Sequence, residues 1–182
     1  MSTETLTTEI LSKEIPASPT PDPAELKDRF WNRLDGINAG MLGTSQALNF
    51  VPMSHHADPA GDALWFISAE GTDLVRAATS GPVPALHLIG DASGKLWARI
   101  EGHLSLSDDR AKLDEIWSSV ASAWFEEGRQ DPDLRLLRLE LTAAEVWTTT
   151  GGMGFLYQIA KANLTGEKPD IGEHFRLDFR AA

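Results

Sequence analysis

Side chains able to do chemistry are sparse in this chain, and the densest group is His55-His56 with Asp58 close behind. Imidazole and carboxylate together ligate metals or move protons near neutral pH. Adjacent strand residues point to opposite faces, so the two imidazoles are poorly placed to chelate one ion, and they are read as surface residues at a loop edge. His87 falls in an apolar strand and His103 on the polar face of another. Both are expected to be hydrogen-bonded structural histidines. The absence of cysteine excludes disulfides, thiolate metal sites, iron–sulfur clusters and cysteine nucleophiles. Gly151-Gly152 with Gly154 lacks the strand, spacing and lysine of a phosphate loop and reads as a hinge. With no Ser-His-Asp order, paired carboxylates or activated nucleophile, no catalytic residue is assigned.

Six tryptophans suggest ring stacking. Trp31, Trp117 and Trp124 lie on or beside helix faces and are assigned to the core. Trp97 and Trp147 lie on strands, where contact with a ligand and packing at a subunit interface both remain open.

Positioning these residues falls to a single domain over residues 22–182, preceded by a Ser-, Thr-, Pro- and Glu-rich tail over residues 1–21 that is expected to be mobile. Asp22-Pro23-Ala24-Glu25 is a helix start, Leu26, Phe30 and Leu34 have helical spacing, and Gly36 is the stop. Strands are expected over Ile37–Thr44, Ala47–His56, Ala63–Ser68, Val83–Ile89, Lys95–Leu106 and Leu134–Trp147, the last with a bulge at its Ala143-Ala144 break in phase. A short helix over Thr72–Thr79 separates the third and fourth strands. After Ser107 an amphipathic helix carries Leu113, Ile116, Trp117, Val120 and Trp124 on one stripe and ends before Gly128. A last short helix is expected over Gly154–Asn163. The sum is an α+β domain whose six-stranded antiparallel sheet curls into a small barrel. Side chains fill a barrel of that size, so a large ligand must lie outside it or between subunits.

The net charge of -11 disfavours nucleic acid and anionic membranes as partners. No apolar run reaches the roughly 20 residues that cross a bilayer, and the start of the chain lacks the pattern of a signal peptide, so a cytoplasmic location is expected.

Four segments, in order, resemble the general stress protein 26 type of the pyridoxamine phosphate oxidase-like proteins. They are Met41-Leu42-Gly43-Thr44 running into Phe50-Val51-Pro52-Met53; Leu64-Trp65-Phe66-Ile67-Ser68; Trp97-Ala98-Arg99-Ile100-Glu101-Gly102-His103-Leu104 with Asp109-Arg110 and Ile116-Trp117; and Glu145-Val146-Trp147 followed by Ala160–Gly166 and Pro169–His174. The resemblance implies a homodimeric split β-barrel flanked by helices that binds FMN or FAD at the subunit interface. By the same resemblance the flavin ring would lie against Val51, Pro52 and Met53, beside Phe66 and Ile67. The phosphate would lie near Ser68, Thr72 and the start of the short helix, with Arg76 or Arg99 in reach and Asp73 opposing. Trp97 and Trp147 would come from the partner subunit.

Two positions depart from the family pattern: Val51 replaces an arginine, and Leu74 replaces a lysine. Each lost cation would be worth about 1.5 to 3 kcal/mol to a phosphate. Weak flavin binding is therefore expected, with pyridoxal phosphate bound poorly and pyridoxamine phosphate not oxidised. Three functions remain open: a flavin-dependent oxidoreductase, a non-catalytic flavin carrier with a stress role, and a cofactor-free protein-interaction module.

Overall fold

The fold is given by a computed structural model, which describes residues 22–45, 47–93, 96–149, 161, 163–164 and 172–179. Along the chain run α1 (Pro23–Leu34), β1 (Ala39–Thr44), β2 (Ala47–Ser54), β3 (His56–Asp58), β4 (Ala63–Ala69), α2 (Asp73–Ala78), β5 (Val83–Asp91), β6 (Leu96–Ser107), α3 (Arg110–Ile116), α4 (Ser119–Ser122), β7 (Leu134–Thr149) and β8 (Gly172–Asp178). Asp22 caps α1 through the Ala24 amide, and Pro23 opens the helix where no hydrogen-bond donor is needed.

All pairings are antiparallel, in the order β2-β1-β5-β6-β7-β4-β3, with β8 also on β7. β2 and β3 stand at opposite ends of this order, yet His55 alone joins them in sequence. The sheet therefore curls until its first and last strands meet, as expected for a split barrel of the α+β class. Its interior is filled by Leu42, Leu64, Phe66, Ile100, Leu104, Leu137 and Leu139, among others, and Phe30, Trp31 and Leu34 of α1 are buried in the same cluster. A second apolar cluster lies on the other face of β4 and β7, where Trp65, Leu134 and Leu136 meet Leu113 and Ile116 of α3 and Phe125.

The expected bulge is present. β6 pairs with β7 through Gly102↔Leu141 and Glu101↔Ala143, leaving Thr142 as the extra residue, whose hydroxyl donates to the Glu101 carbonyl at 3.3 Å. Before it Leu137, Leu139 and Leu141 face the interior; after it Ala144 and Val146 do. This one-residue change of phase turns Glu145 and Trp147 to the outside.

Several expectations are corrected. The described residues form eight strands rather than six, because the end of the expected second strand becomes β3 across the barrel, and β8 joins the sheet. The helix after Ser107 is two helices. Trp117 has an extended backbone (φ -63°, ψ 125°), and the Ser118 hydroxyl accepts from the Ala121 amide to start α4. The core position expected for Trp124 belongs to Phe125, and Trp124 is 81% exposed. The helix expected over Gly154–Asn163, and the Gly151-Gly152 hinge, fall mainly outside the described residues.

Candidate functional site

The register builds one outward row across six strands: Pro52↔Met41↔Leu88↔Arg99↔Glu145↔Arg176. Beside it runs Gly90↔Trp97↔Trp147↔His174. The indole of Trp97 lies over Gly90, where a Cβ would come within 3.7 Å of the ring. Trp147 stacks on His174 with centroids 5.0 Å apart and planes 6° from parallel, and the Glu145 carboxylate orients that imidazole at 3.1 Å from Nε2. Trp97 and Trp147 are each 38% exposed and Met41 39%. Arg99 extends Nη2 to Glu145 (2.9 Å) and Glu101 (3.0 Å), while Arg176 approaches Glu101 at 3.5 Å. The result is an aromatic patch bordered by a nearly charge-balanced ionic cluster.

Of the two outward aromatic residues singled out in the sequence, both reach this face, and Arg99 reaches it with them. His174 and Arg176 enter through β8. The alternation of Phe175 and Leu177 with His174, Arg176 and Asp178 carries the period-2 signal for that strand.

The remaining site residues lie elsewhere. Pro52 is exposed at the far end of the row, but Val51 and Met53 are turned inward and pack against the core. Phe66 is fully buried and meets the His87 ring, whereas Ile67 is half-buried on the opposite face, against the second cluster. Ser68 is buried, its hydroxyl 3.1 Å from that of Thr72, and Thr72 caps α2 by accepting from the Val75 amide at 3.4 Å. Leu74 is a core residue, 4% exposed. Arg76 folds back onto Asp73 and the Gly71 carbonyl.

The His55-His56-Asp58 group does not converge. His56 lies opposite Trp65 on β3, and Asp58 accepts hydrogen bonds from the Trp65 indole at 3.0 Å and the Gly61 amide at 3.2 Å. Burial acts to raise the Asp58 pKa, but these bonds and the Lys112 ammonium hold it below the usual carboxylate value. Contrary to the loop-edge reading, His55 is buried, because the corner between β2 and β3 turns it inward, and it meets His87 with Nδ1 and Nε2 3.0 Å apart. His87 is the buried, hydrogen-bonded histidine expected from its apolar strand. No group of three or more potential metal ligands occurs among the described residues.

A flavin can be tested against these two ends. The Trp147–His174 stack and Trp97 suit a planar aromatic ring. The Ser68–Thr72 end offers hydroxyls already paired with each other and a helix start, with its nearest arginine engaged by Asp73. The ring end fits, and the phosphate end lacks a dedicated cation.

Comparison with known proteins agrees with this architecture. No helix among the described residues is long and apolar enough to cross a membrane. No curated protein matches the chain. The fold is similar to the crystal structure of a protein provisionally named general stress protein 26 from Jannaschia sp. CCS1, with 44% identity and a TM-score of 0.79, covering 87% of this chain and 100% of that one. It is also similar to a general stress family protein from Xanthomonas campestris pv. campestris (29% identity, TM-score 0.64, 73% and 93% covered). A third similar structure is the general stress FMN/FAD binding protein from Xanthomonas citri (28% identity, TM-score 0.61, 69% and 89% covered). The family model described as pyridoxamine 5'-phosphate oxidase like matches residues 25–170, and the chain belongs to that family.

Proposed function

We propose that this protein binds a flavin, FMN or FAD, at the interface of a homodimer, gripping it mainly by the ring. The observation that carries this reading is the outward pair of rows ending in Pro52 on one side and in Trp97, Trp147 and His174 on the other. Neighbouring strands are about 4.8 Å apart, so the four steps from β2 to β7 separate Pro52 from Trp147 by roughly 19 Å. A flavin ring is shorter than that distance and does not bridge it within one protomer. A two-fold partner brings its own Trp147 end to the first protomer's Pro52 end. The FMN/FAD binding described for the Xanthomonas citri protein supports the choice of ligand.

With Val51 and Leu74 in place of cations, the phosphate adds little, and the discrimination between FMN, FAD and riboflavin is expected to be small. The flavin supplies the redox chemistry when bound. The chain's own part is to cover the ring, exclude water with Trp97 and Trp147, and hold an imidazole beside it through Glu145. Pyridoxamine phosphate, whose recognition would rest on its phosphate, is not a substrate in this reading. Titration with FMN, FAD, riboflavin and pyridoxal phosphate, followed by flavin and tryptophan fluorescence, is the test. Saturable quenching by all three flavins supports the reading, and its absence at high micromolar concentrations overturns it. Flavin-dependent oxidation of NAD(P)H would extend the function to an oxidoreductase.

A further inference from the structure

His55 is the single residue linking the two edge strands, and its ring meets His87 inside the barrel. His87 reaches it from the middle of the sheet, where β5 lies between β1 and β6. The rings are tilted edge to face at 79°, with centroids 5.0 Å apart. Room for His87 exists because residue 40 of β1 is glycine: a Cβ there would come within 2.8 Å of the His87 ring and 2.6 Å of the Leu88 carbonyl. Phe66 of β4 closes the other side, its ring 5.2 Å from that of His87.

Two neutral imidazoles share two protons among four nitrogens, and one proton lies between His55 Nδ1 and His87 Nε2 in either tautomeric arrangement. The two remaining nitrogens, His55 Nε2 and His87 Nδ1, are buried without a hydrogen-bond partner among the described residues. A first added proton leaves the shared bond intact. A second puts N–H against N–H, so the bond is lost and two like charges face each other in the interior.

We propose that the His55–His87 pair is a proton-operated latch on barrel closure: protonating both rings drives them apart and frees the β2–β3 corner while the β5–β6–β7 sheet remains formed. The direction follows from linkage. Burial, then the neighbouring His56, depresses His55 from 6.5 to about 4, with the nearby Ile37 carbonyl acting in the opposite sense; burial, then His55, depresses His87 to about 3. The open or unfolded corner thus binds protons more tightly than the closed one. Closure is fully supported above pH 6.5 and weakens as pH falls toward the closed-state values. For His55 this amounts to a loss of about a hundredfold in the closed-to-open ratio by pH 4. The groups facing the pair are His56 from β3, Phe66 from β4, Gly40 from β1 and the Ile37 carbonyl ahead of β1.

The test uses the wild-type protein with labelled histidine and amide hydrogen exchange resolved by residue. Between pH 6.5 and 4, the protection of the His55 amide, which donates to the Asn38 carbonyl, should fall by at least about a hundredfold after correction for intrinsic exchange, the contribution of His55 alone. Amides of Ile100 and Val146 should keep theirs. The double variant His55→Phe with His87→Phe should hold the corner closed across the same range, and His56→Gln should keep the fall in protection but reduce it, since His56 adds to the depression of His55. Loss of protection at the corner and in β6–β7 together, or ring pKa values near 6.5 for His55 and His87, would overturn the latch. Both wild-type measurements decide the matter even if the double variant does not fold.

Discussion

Leu74 occupies the position where the family resemblance expects a lysine, and the structure gives that side chain to the core at the second residue of α2. A lysine placed there without rearrangement would have to bury its ammonium. A desolvation shift of about three pKa units corresponds to about 4 kcal/mol, so Leu74→Lys should destabilise the protein by that order, measured by urea unfolding. Val51 differs, being only half-buried at the edge strand, where a longer side chain can extend past the core to solvent. Val51→Arg should therefore fold and should tighten FMN more than riboflavin, by up to about tenfold at low salt, since only FMN carries the phosphate. Calorimetry with both ligands checks this. Equal gains would show that the phosphate does not lie near residue 51. The two replaced cations thus have different physical standing: one position is filled by packing, the other is still open to charge.

At the scale of elements, the packing of α3 and of the segment after it rests on a helix break that the hydrophobic stripe conceals. Because Ser118 caps a new helix, the phase of the apolar positions resets, and Phe125 enters the second cluster while Trp124 leaves it. Phe125→Ala should cost about 3 kcal/mol and Trp124→Ala less than about 0.5 kcal/mol in thermal or urea unfolding. A larger loss for Trp124 would mean that the unbroken stripe was right. The pairing of β6 with β7 makes a similar demand at Gly102, where a Cβ would stand 2.3 Å from the Glu140 carbonyl beside the bulge. Backbone offers no rotamer to move aside, so Gly102→Ala should cost about 3 kcal/mol or split the pairing, visible as lost amide protection on both strands. The sheet itself was legible because alternation in β6 is strong, the short apolar runs are bounded by turn residues, and the break in phase at Ala143-Ala144 of β7 marks the bulge that turns Trp147 outward. Trp97 and Trp147 were picked out as ring contacts by the family resemblance, and Arg99 as a phosphate partner rather than as the centre of an ionic cluster with Glu101 and Glu145. His174 was not, since β8 follows a stretch punctuated by Gly and Pro and its short alternation was read with the tail. Nor was the His55–His87 contact, which joins residues 32 apart in sequence through barrel closure, a long-range event that local periodicity does not encode.

For the whole molecule, the proposed dimer must cover Met41, Trp97 and Trp147 while bringing together two chains that each carry a net charge of -11. Apolar contact favours association and is little affected by salt, whereas the mutual repulsion of the chains is screened over about 10 Å at 0.1 M ionic strength. The dimer should consequently tighten as salt rises from low to physiological levels, opposite to the behaviour of an interface held by attraction between oppositely charged surfaces. Replacing the two aromatic-edge residues on this face, Met41→Glu with Trp97→Glu, adds four like charges to each dimer interface. The cost should be at least about 3 kcal/mol, a hundredfold or more in dissociation constant. Sedimentation velocity across protein and salt concentrations measures both effects, and circular dichroism confirms that the double variant is folded. A wild-type protein that is monomeric at tens of micromolar would remove the interface. Because Trp97 is itself a proposed ring contact, flavin titration of the wild-type protein above and below its dimer dissociation constant then separates the dimer from the ligand site: affinity lost in step with dissociation means that the ring needs both protomers, whereas full affinity in the monomer would place the flavin on one chain and make the outward rows an association surface only.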